Sequence, residues 1–282
     1  MIREIEEGEL RTPEQLREAY EIERELANRL RGASRSERGH LYASLYDEFF
    51  RRVPLTPQLT NKLSPEKTRQ LLDLQFSFLG PSLSKDSVFL EIGPGDCALS
   101  IEVCQFARQV YAVDVSSEIT KNMATPKNFQ LILSDGCSVP LPSESVNIAF
   151  SDQLMEHLHP DDALDQLKEI RRVLAPGGIY ICITPNRVSG PHDISKYFDE
   201  VATGFHLREY TFSELRKVFH EAEFPRVRAY ARIKGISVRV PALLPMMCEF
   251  FLLLLPSTLR RRAARTLPLR VFLNIRLVGV RS

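Results

Sequence analysis

Between Pro13 and Arg31 the apolar positions Leu16, Tyr20, Ile22, Leu26 and Leu30 recur at helical spacing and leave a wide polar face, which predicts an amphipathic helix. Thr12-Pro13-Glu14-Gln15 before it is a capping box with proline at the first helical position. From about Ser36 to Arg52 the residues Leu41, Tyr42, Leu45, Tyr46, Phe49 and Phe50 form a thick aromatic stripe on a second helix. Ser64-Pro65-Glu66 opens a third, which stops at Gly80. Two amphipathic helices bury little by themselves, so residues 1–85 are expected to form a helical cap packed on the rest of the chain.

Beyond Ser87 short apolar runs alternate with helical segments. The pattern predicts strands at 87–92, 109–114, 129–134, 146–151 and 179–184, with helices at 97–107, 116–123 and 161–174. The last of these helices carries Leu164, Leu167, Ile170, Val173 and Leu174 on one face, and a proline with two glycines turns it into the next strand. Thr211-Phe212-Ser213-Glu214 is a further capping box, opening a helix to about Ala222. Arg226–Lys234 and Phe272–Val280 read as a sixth and a seventh strand. Such alternation implies an α/β fold: a doubly wound, mostly parallel sheet, helices on both faces, ligands at the carboxyl ends of the strands.

Composition narrows the function classes. The chain has 282 residues, 44% of them hydrophobic, enough for a substantial core in one or two domains. With 37 basic against 36 acidic residues and no basic stripe interleaved with aromatics, a nucleic-acid partner is not expected. The five cysteines contain no C-x-x-C pair, and the acidic N-terminus lacks an apolar stretch; together they predict reduced thiols in a cytoplasmic protein without a secretory signal.

An insertion at about 234–270 separates the last two strands. Its apolar stretch, Met246 to Leu255, would make only about 15 Å of helix against about 30 Å of bilayer hydrocarbon, so it does not read as a span. Three roles suit residues 240–265: a peripheral membrane contact with Arg260, Arg261, Arg262 and Arg265 on anionic headgroups, a lid lining an apolar pocket, or a homodimer face.

Candidate chemistry centres on Ser87 to Cys97. The apolar run ends abruptly at Gly93-Pro94-Gly95, which reads as a buried strand entering a glycine turn at the start of a helix, a nucleotide cradle. The next strand ends in Asp114, placed to accept both hydroxyls of a ribose. Dinucleotide binders share those features. They do not need the acidic Glu91 before the glycines, nor the second acidic loop Ser134-Asp135-Gly136.

With these motifs in this order, Ser87 to about Phe224 resembles the class I S-adenosylmethionine-dependent methyltransferases, of the small-molecule, type-11-like group. Arg171-Arg172-Val173-Leu174-Ala175-Pro176-Gly177-Gly178 is the sharpest match, while Cys97 stands where the family usually has a third glycine. The resemblance implies a Rossmann-like, seven-stranded core over 86–282. It also implies S-adenosylmethionine as cofactor, held by Glu91, Gly93, Gly95, Asp114, Val115, Asp135, Gly136 and Ser151, with Asp135 at the adenine amino group.

A small-molecule acceptor is expected, an apolar metabolite or a lipid-linked or natural-product intermediate, with Tyr46, Tyr42 and Glu156 as contacts. His157, His192 and His206 are the candidate bases. Related ubiquinone-pathway enzymes hold a divalent cation with a glutamate three residues before the Glu-His pair. Gln153 stands at that position here, and no metal is expected. An NAD-dependent oxidoreductase and a non-catalytic scaffold or membrane adaptor are the alternatives. Residues 1–85, the loop 185–210 and the insertion 234–270 are expected to roof the substrate site together, with Leu243, Leu244, Met246, Met247, Phe250 and Phe251 meeting the aromatic stripe of the cap.

Overall fold

The computed structural model describes residues 5, 9–56, 65–116 and 125–282. The strands are β1 (Val88–Ile92), β2 (Gln109–Asp114), β3 (Phe129–Leu133), β4 (Val146–Asp152), β5 (Leu174–Pro185), β6 (Arg226–Ile233), β7 (Ile236–Val240) and β8 (Asn274–Val280). They form one sheet in the order β3-β2-β1-β4-β5-β8-β6-β7. The five strands from β3 to β5 pair in parallel, whereas β8 runs antiparallel to both β5 and β6.

The doubly wound, mostly parallel architecture follows the expectation, but the sheet has eight strands where seven were expected. The additional strand arises because Lys234 and Gly235 both take positive φ, 50° and 87°, and close a two-residue turn that folds Ile236–Val240 back onto β6. β5 starts at Leu174 and not at 179: Leu174 already pairs with Val146, and a register shift lets the Pro-Gly-Gly stretch continue in the strand.

Helices α1 (Pro13–Gly32) and α2 (Arg35–Arg52) match their predicted ranges, and the Thr12–Gln15 capping box is formed. α3 (Pro65–Leu79) follows, and α4 (Ala98–Val103) is shorter than predicted. Ser64 and the expected helix 116–123, beyond Ser116, lie outside the described residues. Then come α5 (Pro160–Val173), α6 (Phe212–Glu221), α7 (Leu243–Leu253), α8 (Ser257–Ala264) and α9 (Leu267–Arg270).

Strand alternation divides the core. Val88, Leu90 and Ile92 join one hydrophobic cluster with α1, α2, α5 and α6, whereas Phe89 joins another with Phe78, Leu79, Leu99 and Val103 from α3 and α4. The first three helices therefore do not act as one layer: α1 and α2 pack on one face of the sheet, α3 on the other. The aromatic stripe of α2 finds its apolar partner in the loop after β5, where Phe205 stacks on Tyr46 at 4.7 Å and meets Phe49 edge-on at 5.3 Å.

The insertion does not serve as that partner. Leu243, Leu244, Met247, Phe250 and Phe251 are all exposed, and of the six expected contacts only Met246 packs on the main core. The physical reason is Glu249. Its carboxylate accepts hydrogen bonds from the Phe212 and Ser213 amides at the amino end of α6, from the Ser213 hydroxyl and from the Asn186 side chain, and this pins α7 beside the loop after β5.

Candidate active site

The glycine turn after β1 has the conformation its sequence demands. Gly93 and Gly95 take φ of 66° and 57°, and Cys97, where a third glycine was anticipated, is itself left-handed at 59° and fully buried. At the end of β2, Asp114 accepts hydrogen bonds from the amides of Val115 and Ser116, which fixes its carboxylate at the carboxyl edge of the sheet.

Gly93, Gly95, Asp114, Val115 and Gly136 line one cavity of about 220 Å³, together with Ser134, Ser138, Leu154 and Gln166. Tyr42, Tyr46, Asp47 and Phe50 of α2 close it from above, and His157 and Leu158 from the loop after β4. Acidic and glycine-rich loops from three adjacent strands thus meet where a nucleoside can be held, as the sheet topology requires.

Three of the expected cofactor contacts, Asp135, Ser151 and Glu91, do not line this cavity. The Asp135 carboxylate is folded into its own turn, accepting from the Cys137 and Ser138 amides and the Ser138 hydroxyl, so its neighbours Ser134, Gly136 and Ser138 face the cavity instead. Ser151 is fully buried within the sheet and bonds the Tyr180 hydroxyl at 2.7 Å. Glu91 points to the opposite face of β1 from Ile92, accepts a hydrogen bond from Ser100 of α4, and lines a neighbouring groove with Gly95, Asp96 and Asp152. Burial pushes its carboxyl up to about 8, against the Ser100 hydrogen bond.

A second cavity of about 400 Å³ adjoins the first and shares Tyr46, Phe50 and His157 with it. Glu156, His192 and His206 line it, as do Asp193, Glu23, Glu9 and Arg11. The structure thus brings the three candidate histidines to one space. Tyr46 and Glu156 belong there too, but Tyr42 lines only the first cavity. Its hydroxyl is committed, donating to Asp162 at 2.8 Å and accepting from the His159 amide at 2.9 Å.

The three histidines differ in environment. His157 Nδ1 lies 3.0 Å from the Tyr46 hydroxyl and 3.1 Å from the Phe205 carbonyl, and since a carbonyl only accepts, the latter contact requires the proton on Nδ1. Burial, with His206 adding to it, lowers this imidazole to about 3. Burial also opposes charge on His206, but the 2.7 Å bond to Glu209, with Glu156 and Asp193 nearby, outweighs it and raises the ring to about 9. His192 is exposed, its Nε2 close to the Ser189 hydroxyl and the Asn186 carbonyl.

Two buried carboxyls complete the cluster. Burial raises Glu156 to about 7 although His206 acts against it; Oε2 accepts from Thr184 at 2.8 Å, and Oε1 is buried without a partner. Burial and Asp193 raise Glu23 to about 7. Glu23, Glu9 and Arg11 escaped the sequence reading. Glu23 carried a signal, a charge placed three residues from both Tyr20 and Leu26 on the apolar face of α1; Arg11 and Glu9, in a polar run before the helix, carried none.

Glu156, His157 and His206 each offer one ligand atom within 4.8 Å of the others, a geometry that can hold a cation. His206 enters this set from a loop about fifty residues away, so the Gln153 substitution alone does not decide metal binding.

Residues 90–182 match the model of a methyltransferase domain family. A probable S-adenosylmethionine-dependent methyltransferase of Mycolicibacterium smegmatis is 29% identical over 136 residues, 48% of this chain and 51% of that protein. One of Mycobacterium tuberculosis is 28% identical over 151 residues, 53% of each. The matches thus span about half the length of these relatives. A methyltransferase solved with the Haloferax volcanii Trm112 activator shares the fold, with a TM-score of 0.52 at 16% identity over 77% of this chain and 94% of that one. Residues 90–182 thus carry a methyltransferase domain, and over about half its length the chain is similar to S-adenosylmethionine-dependent methyltransferases.

Proposed function

We propose that the chain transfers a methyl group from S-adenosylmethionine to a small, largely apolar acceptor bound in the second cavity. The observation that supports this is the meeting of the two cavities at Tyr46, Phe50 and His157. The residues of the first cavity fit the cofactor: left-handed glycines leave the loop backbone open to close approach, and Asp114 offers a carboxylate for paired hydroxyls. When bound, the cofactor supplies a methyl carbon activated by its sulfonium.

What remains for the protein is to hold the acceptor atom about 3–3.5 Å from that carbon, to exclude water, and to accept a proton where the acceptor is a hydroxyl. Phe49, Phe50, Ile194, Tyr197 and Phe205 supply an apolar wall. His157 is too weakly basic to store a proton, but with Nδ1 protonated its Nε2 can accept a hydrogen bond and orient a hydroxyl. Glu156, poised near 7 with an unpartnered oxygen, is the better proton acceptor: the imidazolium of His206 favours its carboxylate form, which takes the acceptor's proton and becomes the neutral acid.

Calorimetry with S-adenosylmethionine and its demethylated product tests the first part. Binding should be readily measured and should weaken about tenfold or more in Asp114→Ala, which leaves buried donors unpaired at about 1–3 kcal/mol. Tight NAD binding with none of the sulfonium cofactor, or an unchanged affinity in folded Asp114→Ala, would refute the assignment. Release of the demethylated cofactor across a panel of apolar hydroxyl compounds tests the second part, with Glu156→Gln expected to lower turnover at saturating acceptor.

A further inference from the structure

Helix α7 has its polarity reversed. Its exposed face carries Leu243, Met247, Phe250, Phe251 and Leu254, at 44–67% exposure, while its buried face holds Pro245, Glu249 and Leu252. An ordinary surface helix buries its apolar stripe and exposes its charges; here the sole carboxylate of the segment is the buried group. The arrangement is stable because Glu249 is fully engaged at the amino end of α6. Leu252 further anchors the segment in a small cluster with Val188, Ala264 and Leu273.

The charged residues of the next helix complete the pattern. On α8 and just past it, Leu259, Arg262 and Arg265 recur at three-residue spacing, so they share one face, and all three are exposed. Between 241 and 270 there are five arginines and one acidic residue, the buried Glu249. Among the described residues no helix is long and apolar enough to cross a membrane.

We infer that α7 and α8 form a surface that lies on an anionic lipid bilayer, the exposed apolar side chains of α7 entering the headgroup boundary and Arg262 and Arg265 meeting lipid phosphates. Contiguous exposed apolar residues mark an interaction site, and joined to unopposed arginines they fit a negatively charged, apolar partner. A second copy of the chain fits less well, since a two-fold contact would bring this arginine-bearing face against its own like charges. Val188, which ties the insertion down, follows the carboxyl end of β5, so the bilayer surface would lie at the edge of the sheet where the two cavities are built.

Flotation of the full chain with phosphatidylcholine vesicles, and with vesicles that also contain phosphatidylglycerol, tests this. Partition should favour the anionic vesicles at least about tenfold and fall with salt. Phe250→Ser with Phe251→Ser should reduce it about tenfold or more, and Arg262→Ser with Arg265→Ser by a similar factor. Unaltered calorimetric binding of S-adenosylmethionine certifies that both variants are folded. Absence of vesicle binding, or binding that both variants retain in full, would overturn the inference. A lipid-free dimer that Phe250→Ser with Phe251→Ser dissociates would overturn it in favour of a second copy.

Discussion

Glu91 stands at a motif position, and its strand decides what surrounds it. The strand places it on the face opposite Ile92, where it is buried against Ser100, and burial raises its carboxyl to about 8. A group whose folded value lies above the unfolded 4.5 contributes stability that is complete below pH 4.5 and is lost as the pH rises through 8. Glu91→Gln keeps the acceptor for Ser100 but cannot ionise. The variant should therefore gain on the parent chain across that window, by a few kcal/mol at most, as read from denaturant midpoints at both ends. A difference that does not change with pH would show that Glu91 ionises freely in the folded state.

Among the elements, α6 and α7 illustrate how a helix end organises its surroundings. Thr211 and Glu214 form the capping box visible in the sequence, yet the Phe212 and Ser213 amides are satisfied by Glu249, thirty-six or more residues further on. Glu249→Ala would leave those amides and the Asn186 side chain without their buried acceptor, and should cost about 3 kcal/mol in unfolding experiments. It should also raise protease sensitivity within 241–270, because α7 loses its polar anchor. Unchanged stability would mean that water replaces the carboxylate without loss.

At the scale of the whole molecule, the joint between α2 and the sheet domain decides whether the two cavities exist. Arg38 of α2 forms a paired contact with Asp162 of α5, at 2.6 and 2.7 Å, and Tyr42 donates to the same carboxylate. Asp162→Ala would strand a buried guanidinium, which costs roughly 3–5 kcal/mol when one member of such a pair is removed. In any fraction that remains folded, S-adenosylmethionine should bind more weakly, because Tyr42 and Tyr46 on the same helix line the cavity proposed for it. Parent-like stability and affinity would show that apolar packing of α2 suffices to hold the joint.

The sequence by itself determined what depends on short-range pattern: the strand and helix alternation, the two capping boxes at Thr12 and Thr211, the glycine turn, and the loops at Gly93, Asp114 and Gly136 that gather along one sheet edge. These rest on backbone conformation and residue spacing, which neighbours in sequence largely set. Only the tertiary structure decided which side chains those loops turn inward. Asp135 satisfied its own turn, Ser151 paired with Tyr180, and Phe205 took the place beside Tyr46 that the insertion had been expected to fill. Glu23, Glu156 and His206 met only because three distant segments converge. Such outcomes turn on competition among buried hydrogen-bond partners and apolar surfaces far apart in the chain, which no local period encodes.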